Sequence, residues 1–227
     1  MVDTSDSGVE LENRHGPEHA LERLIFFSDA VFAIAITLLV IELHIPSLPE
    51  TASDEQFVQA LAYTIPNFLG FTIGFFVIGA FWGGHHRAFR FATHWSDRLL
   101  PANILLLFSI AALPFFTALV SEYGNKRVPV VLYCGWLTFT ALLNVRVQRL
   151  ATSPPVVGAD AKAADIAATR RRGYATVLGA ATATVIALSA SQPALAQMSL
   201  ISIPFYHRLL DRLARRRQRV GTGSAPE

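Results

Sequence analysis

The stretch that decides the fold is Arg23-Leu-Ile-Phe-Phe27-Ser28-Asp29-Ala-Val-Phe-Ala-Ile34-Ala-Ile-Thr37-Leu38, which continues through Leu39-Val40-Ile41. After Asp29 it holds no charge until Glu42 and no glycine or proline until Pro46. A bilayer span needs about 20 mostly apolar residues, and residues 24–43 supply one. On a helical wheel of about 100° per residue, with Asp29 at zero, Ala30, Ile34, Thr37, Leu38 and Ile41 fall between roughly 80° and 180°. One face is therefore an apolar stripe broken by a single hydroxyl. Ser28 and Asp29 lie outside it, where neighbouring helices can satisfy them.

The rest of the 227-residue chain extends this pattern. Hydrophobic residues make up 52% and charged residues 16%, against roughly 25% charged in an average soluble domain. Mean hydropathy is +0.39. Apolar blocks at residues 58–83, 99–120, 128–145, 173–190 and 194–210 follow the first, giving an all-α integral membrane protein with six transmembrane helices. Polar breaks separate them: Pro46 and Pro49, a basic and aromatic bend at 84–98, the loops 121–127 and 146–172, and Ser191-Gln192-Pro193. Residues 1–20 read as a disordered tail without a cleavable signal peptide. Residues 21–212 form the transmembrane domain, and 213–227 a basic, disordered tail. The last two helices are rich in small side chains and are expected to pack on other helices.

Lysine and arginine set the orientation. With six spans, 17 of the 19 fall on the side of both termini, and only Lys126 and Arg127 on the other. Such a split places both termini in the cytoplasm and the protein in the cell membrane. The arginines near the C-terminus read as a topology signal touching anionic lipid headgroups, not as a nucleic-acid site. A lone cysteine, Cys134, excludes a disulfide scaffold.

Ionisable residues inside spans are costly and mark candidate sites. Asp29 reads either as a buried polar lock between helices or as an ion or proton ligand. The lock is favoured, because the residue is off the apolar stripe and a lone carboxylate is a poor site for a bare cation. The Thr37 hydroxyl either bonds its own helix backbone or, where symmetry copies bring the stripes together, joins a ring around a pore. His85 and His86 point about 100° apart and have no acidic or thiol residue at helical spacing, which argues against a shared metal. They are candidate partners for Ser28 or Asp29, together with Asp97 and Asn103. The chain lacks hydrolase, metalloprotease and phosphate-loop motifs, so no enzyme and no cofactor are expected. The Thr-Val-Gly-Tyr-Gly filter of ordinary potassium channels is also absent.

The block Arg23-x-x-x-Phe27-Ser28-Asp29, with the Val31 to Leu39 run, resembles the signature of the bacterial relatives of the lysosomal potassium channel transmembrane protein 175. Trp82-x-x-His85-His86-Arg87-x-Phe89, Asp97-x-Leu99-x-x-x-Asn103 and Leu113-Pro114-Phe115-Phe116-Thr117 fit the same family. The resemblance implies a homotetramer in membrane lipid, with potassium as the permeant ion and four copies of the first helix around the pore. It puts Ile34 at the hydrophobic constriction, Thr37 at a hydroxyl layer one turn on, and Leu38 and Ile41 along the lining. Arg23, Ser28 and Asp29, with Trp82, His85, His86 and Asn103, would form a polar network holding the first helix to the second and third. The competing class is a proton-coupled secondary transporter with an Asp29–His85 or Asp29–His86 relay. Such transporters show inverted repeats and broken helices, and neither is evident in the sequence.

Overall fold

A computed structural model describes residues 17–44, 46–190 and 195–222. The tail at 1–16, Ile45, the break at Ser191-Gln192-Pro193 with the Ala194 that starts the expected sixth span, and residues 223–227 lie outside the described residues. The fold is all helical: α1 (Pro17–Leu38) running into a 3-10 turn (Leu39–Glu42), α2 (Asp54–Phe89), α3 (Leu99–Ala111), α4 (Leu113–Tyr123), α5 (Arg127–Ala151), α6 (Ala163–Ser189), and α7 (Leu195–Met198) leading through a 3-10 turn (Ser199–Ser202) into α8 (Ile203–Thr222). Counting α3 with α4 and α7 with α8, these are six helical rods.

Helix α1 shows why the chain folds as it does. Leu21, Leu24, Ser28, Phe32, Ala35 and Leu39 repeat at three- and four-residue spacing and are all buried. This inward stripe packs on α2, α3 and α4. The opposite face, with Phe26, Phe27, Ile34, Leu38 and Ile41, is exposed on the single chain.

Several elements differ from the expected boundaries. Helix α1 begins at Pro17, inside the expected tail. Helix α2 starts at Asp54 because Ser53 and Gln56 form a reciprocal capping box, and it continues through the expected bend to Phe89. Its 36 residues rise about 54 Å, well beyond the roughly 30 Å hydrocarbon core. The third expected span divides at Ala112, where Pro114 cannot donate to Ile110. Beside the break the Trp136 indole donates to the Ser109 carbonyl at 2.9 Å. The expected loop at 146–172 shrinks to residues 152–162, because α5 and α6 extend into it and Arg170, Arg171 and Arg172 become helical. Helix α8 runs to Thr222, so residues 213–222 are helical rather than a disordered tail.

Among the described residues four helical segments, not six, are long and apolar enough by themselves to cross a membrane: His19–Glu42, Asp54–Phe89, Leu99–Tyr123 and Arg127–Ala151. Helix α6 falls short because three arginines sit near its start and Ala, Thr and Gly dominate the rest. The last rod falls short because α8 turns strongly basic.

Close helix packing depends on glycine at α2. A side-chain carbon on Gly74 would come within 2.9 Å of Thr117 Cγ2, and one on Gly70 would overlap the Ser121 hydroxyl. The two glycines, one turn apart, let α4 lie against α2.

Candidate functional site

Three helices each contribute one polar residue to a buried chain of hydrogen bonds. The Ser28 hydroxyl on α1 donates to the Leu24 carbonyl at 2.7 Å. Its oxygen accepts from Asn103 Nδ2 of α3 at 2.8 Å. That leaves Asn103 Oδ1 facing His85 Nε2 of α2 at 2.9 Å. The order fixes the histidine tautomer: the serine proton is spent on Leu24, Asn103 must donate to the serine, and Nε2 of His85 therefore carries the proton given to Oδ1. Ser28, His85 and Asn103 are each at most 1% exposed. The His85 ring stacks on Phe89 at 4.2 Å and tilts against Phe32 at 5.5 Å. Buried polar groups satisfied in this way specify one packing of their helices.

Asp29 forms a second, half-buried link. The Trp82 indole donates to Asp29 Oδ1 at 2.9 Å, and His86 stacks on the Trp82 ring at 5.4 Å. The adjacent histidines thus divide: His85 faces inward to Asn103, and His86 lies on the exposed side against Trp82. Asp97 takes the Trp95 indole at 2.9 Å and stays at its own corner. Arg23 is exposed, and no hydrogen bond or ion pair joins it to these groups among the described residues.

The residues of the apolar stripe lie on the outside of the chain. Ile34 is 57% exposed, Leu38 40% and Ile41 67%. Thr37 is exposed as well, and its hydroxyl donates to the Ile34 carbonyl at 2.9 Å. Just past the stripe a cavity of about 390 Å³ is lined by Glu42, His44, Asn67 and Glu122. The periodicity of the apolar stripe carries no signal for these residues, although Glu42 is the first charge after the apolar run. Among the described residues no cluster of three or more His, Cys, Asp or Glu is placed to hold a metal ion.

Comparison with known proteins gives this geometry a family. The family described as endosomal/lysosomal potassium channel TMEM175 matches residues 23–114, which hold most of α1, all of α2 and α3, and all the polar links above. A potassium channel of Streptomyces collinus is 36% identical over 101 residues, covering 44% of this chain and 48% of that one. A potassium channel of Chamaesiphon minutus is 35% identical over 136 residues, covering 58% and 66%. The endosomal/lysosomal proton channel TMEM175 of Gallus gallus is 34% identical over 110 residues, covering 46% and 22%. The matched region thus spans from about a fifth to two-thirds of these relatives. The crystal structure of a lysosomal potassium-selective channel TMEM175 homolog from Chamaesiphon minutus superposes with a TM-score of 0.70 at 26% identity, covering 85% of this chain and 98% of that one. The shared signature and the shared fold lead to one conclusion: this chain is a multi-pass membrane protein that belongs to the TMEM175 family.

Proposed function

We propose that the protein is a potassium-permeable channel of the cell membrane, a homotetramer in which four copies of α1 line the pore. One observation carries this reading. Helix α1 buries one face in its own bundle and leaves Ile34, Thr37, Leu38 and Ile41 on the other. A stripe that is apolar, interrupted by one hydroxyl and left uncovered by the described residues suits a symmetric axis shared with other copies. At such an axis Ile34 forms a ring that sets a desolvation barrier, and Thr37 forms a layer of hydroxyls. Selectivity then rests on pore width and partial dehydration, without a carbonyl filter. The names of the bacterial relatives, both potassium channels, support the choice of ion.

The topology has six spans with both termini in the cytoplasm. Helix α6 crosses as a packed span: Ala175, Ala180, Ala183 and Ala187 are buried toward its neighbours, while Leu178, Val185 and Leu188 are exposed and suit lipid. Arg127, one of two basic residues on the outer side, donates to the Ala190 carbonyl at 3.0 Å and ties the end of α6 to the start of α5.

Reversal potentials of reconstituted liposomes under potassium and sodium gradients test the function. A potassium channel follows the potassium Nernst potential. A reversal potential that follows the proton gradient alone would make it a proton channel, the activity named for the vertebrate relatives. One that shifts with pH in a fixed ion ratio would make it a coupled transporter.

A further inference from the structure

Three consecutive arginines lie near the start of α6, and the fold gives them unlike surroundings. Arg170 clamps the end of α5, donating to the Thr152 hydroxyl at 2.9 Å, the Thr152 carbonyl at 2.7 Å and the Ser153 hydroxyl at 2.8 Å. Arg171 pairs with Asp211 of α8 at 2.8 Å. Among the described residues the Arg172 guanidinium has a single contact, 3.4 Å from its Nε to His207. It faces Arg87 of α2 across a groove of about 510 Å³. Among the described residues no carboxylate lies within ion-pair distance of Arg87 or Arg172, and the buried Nε of Arg87 has no acceptor. Two guanidinium groups facing one groove repel each other unless an anion lies between them.

The shape around them is also built. Gly79 and Gly83, one turn apart on α2, put no side chain into the groove. Through Ala80, Thr176 and Ile203, which line both, the groove joins a narrow, almost wholly apolar channel of about 60 Å³ that Val77, Leu137 and Leu200 complete. Val77 lies ten residues before Arg87, about 15 Å of helix rise. Deeper in the protein, Gln148 Oε1 is buried without a donor. As an acceptor it opposes a bare anion, which keeps the ligand's charge in the outer groove.

We infer that Arg87 and Arg172 hold the phosphate of an anionic phospholipid, whose acyl chain lies in the apolar channel between α2, α5, α6 and the 3-10 turn before α8. Guanidinium forks match phosphate oxygens, and basic pockets between spans on the cytoplasmic side suit such headgroups. The cytoplasmic placement rests on the topology proposed above.

Native mass spectrometry of the delipidated full-length protein tests this, with dioleoyl phosphatidic acid against dioleoyl phosphatidylcholine. The parent is expected to retain phosphatidic acid in preference. Arg87→Gln/Arg172→Gln is expected to weaken it about thirtyfold. Arg146→Gln/Arg149→Gln removes two exposed arginines of α5 from the same side and is expected to bind like the parent. Arg87→Lys/Arg172→Lys, checked for an unchanged unfolding midpoint, is expected to recover part of the affinity. Val77→Trp, which fills the apolar channel, is expected to weaken binding with both arginines in place. Equal binding by the glutamine variant, or equal loss in the α5 control, would overturn the site. A folded lysine variant no better than the glutamine one would show that charge does not hold the lipid. Complete displacement by millimolar inorganic phosphate, or full binding by Val77→Trp, would overturn the lipid assignment. No ion flux is read, so failure here is distinguishable from failure of the channel assignment.

Discussion

Asn103 Nδ2 donates to Ser28 Oγ at 2.8 Å across 75 positions of sequence, and the same amide accepts from His85 with its oxygen at 2.9 Å. A single side chain therefore ties α3 to both α1 and α2. Helix α1 carries the exposed stripe on one side and this link on the other, so the link sets how the stripe is presented.

Asn103→Leu keeps the volume and removes both bonds. It orphans the His85 Nε2 proton in a dry site, at a cost of about 1–3 kcal/mol. Ser28→Ala orphans Asn103 Nδ2 by a similar amount. The double variant is expected to be less destabilised than the sum, because both substitutions break one shared bond. Thermal unfolding of the purified protein measures this, and strict additivity would count against the coupling.

Asp29 is held by the Trp82 indole. Trp82→Phe deletes that donor while keeping a ring for His86 to stack on, and Asp29→Ala deletes the acceptor. Both are expected to reduce the yield of assembled protein more than they change ion selectivity, with a stability loss of about 1 kcal/mol for the lost hydrogen bond. Assembly and selectivity should be read on the same preparations. Normal assembly with altered selectivity would place the carboxylate in the ion path.

The exposed stripe of α1 gives a pair of opposed tests. Ile34→Asn replaces an apolar ring with amide oxygens and is expected to raise conductance while weakening discrimination among cations. Thr37→Val keeps the shape and deletes the hydroxyl, and is expected to lower the preference for potassium with little change in pore width. Single-channel recordings under bi-ionic potassium and sodium conditions separate the two. Parental behaviour in both would remove α1 from the pore.

Two glycines of α2 are expected to answer oppositely to alanine. Gly74→Ala drives a methyl toward Thr117 and both methyls of Leu39, an overpacking that costs about 1–3 kcal/mol. Gly79→Ala meets nothing within 4 Å and gains up to about 1 kcal/mol of helix propensity. Unfolding midpoints should move down for the first and hold or rise for the second. If phosphatidic acid occupies the groove beside Gly79, that second variant also weakens lipid retention.

The link between α6 and α8 is acid-sensitive. Burial alone would raise the Asp211 carboxyl, but the hydrogen bond from Arg171 and the charges of His207, Arg171 and Arg215 hold it below the ordinary value. A carboxyl depressed in the folded state contributes stability above its unfolded value of about 3.9 and loses it as pH falls through the folded value. The protection of α8 amides, taken relative to the intrinsic exchange rate at each pH, is expected to fall below about pH 4 in the parent. In Asp211→Asn that protection is expected to be lower at neutral pH and to lack the acid step.

The sequence alone settled the class of this protein and the two faces of α1. Long apolar blocks with few charges admit only membrane helices, and the helical period puts residues 21, 24, 28, 32, 35 and 39 on one side and 34, 37, 38 and 41 on another before any neighbour is known. The helix ends were less legible. The capping pair Ser53 and Gln56 marks the start of α2 only weakly against the surrounding polar loop, and the arginines at 170–172 resemble a loop in sequence because charge interrupts the apolar block. Tertiary structure decided what periodicity does not encode: that His85 and not His86 meets Asn103, that Trp82 serves Asp29, and that Arg170, Arg171 and Arg172 face three different surroundings. Each of those outcomes depends on which helix lies alongside and at what rotation. Packing sets that through close approaches such as Gly74 against Leu39 and Thr117, between residues far apart in the chain.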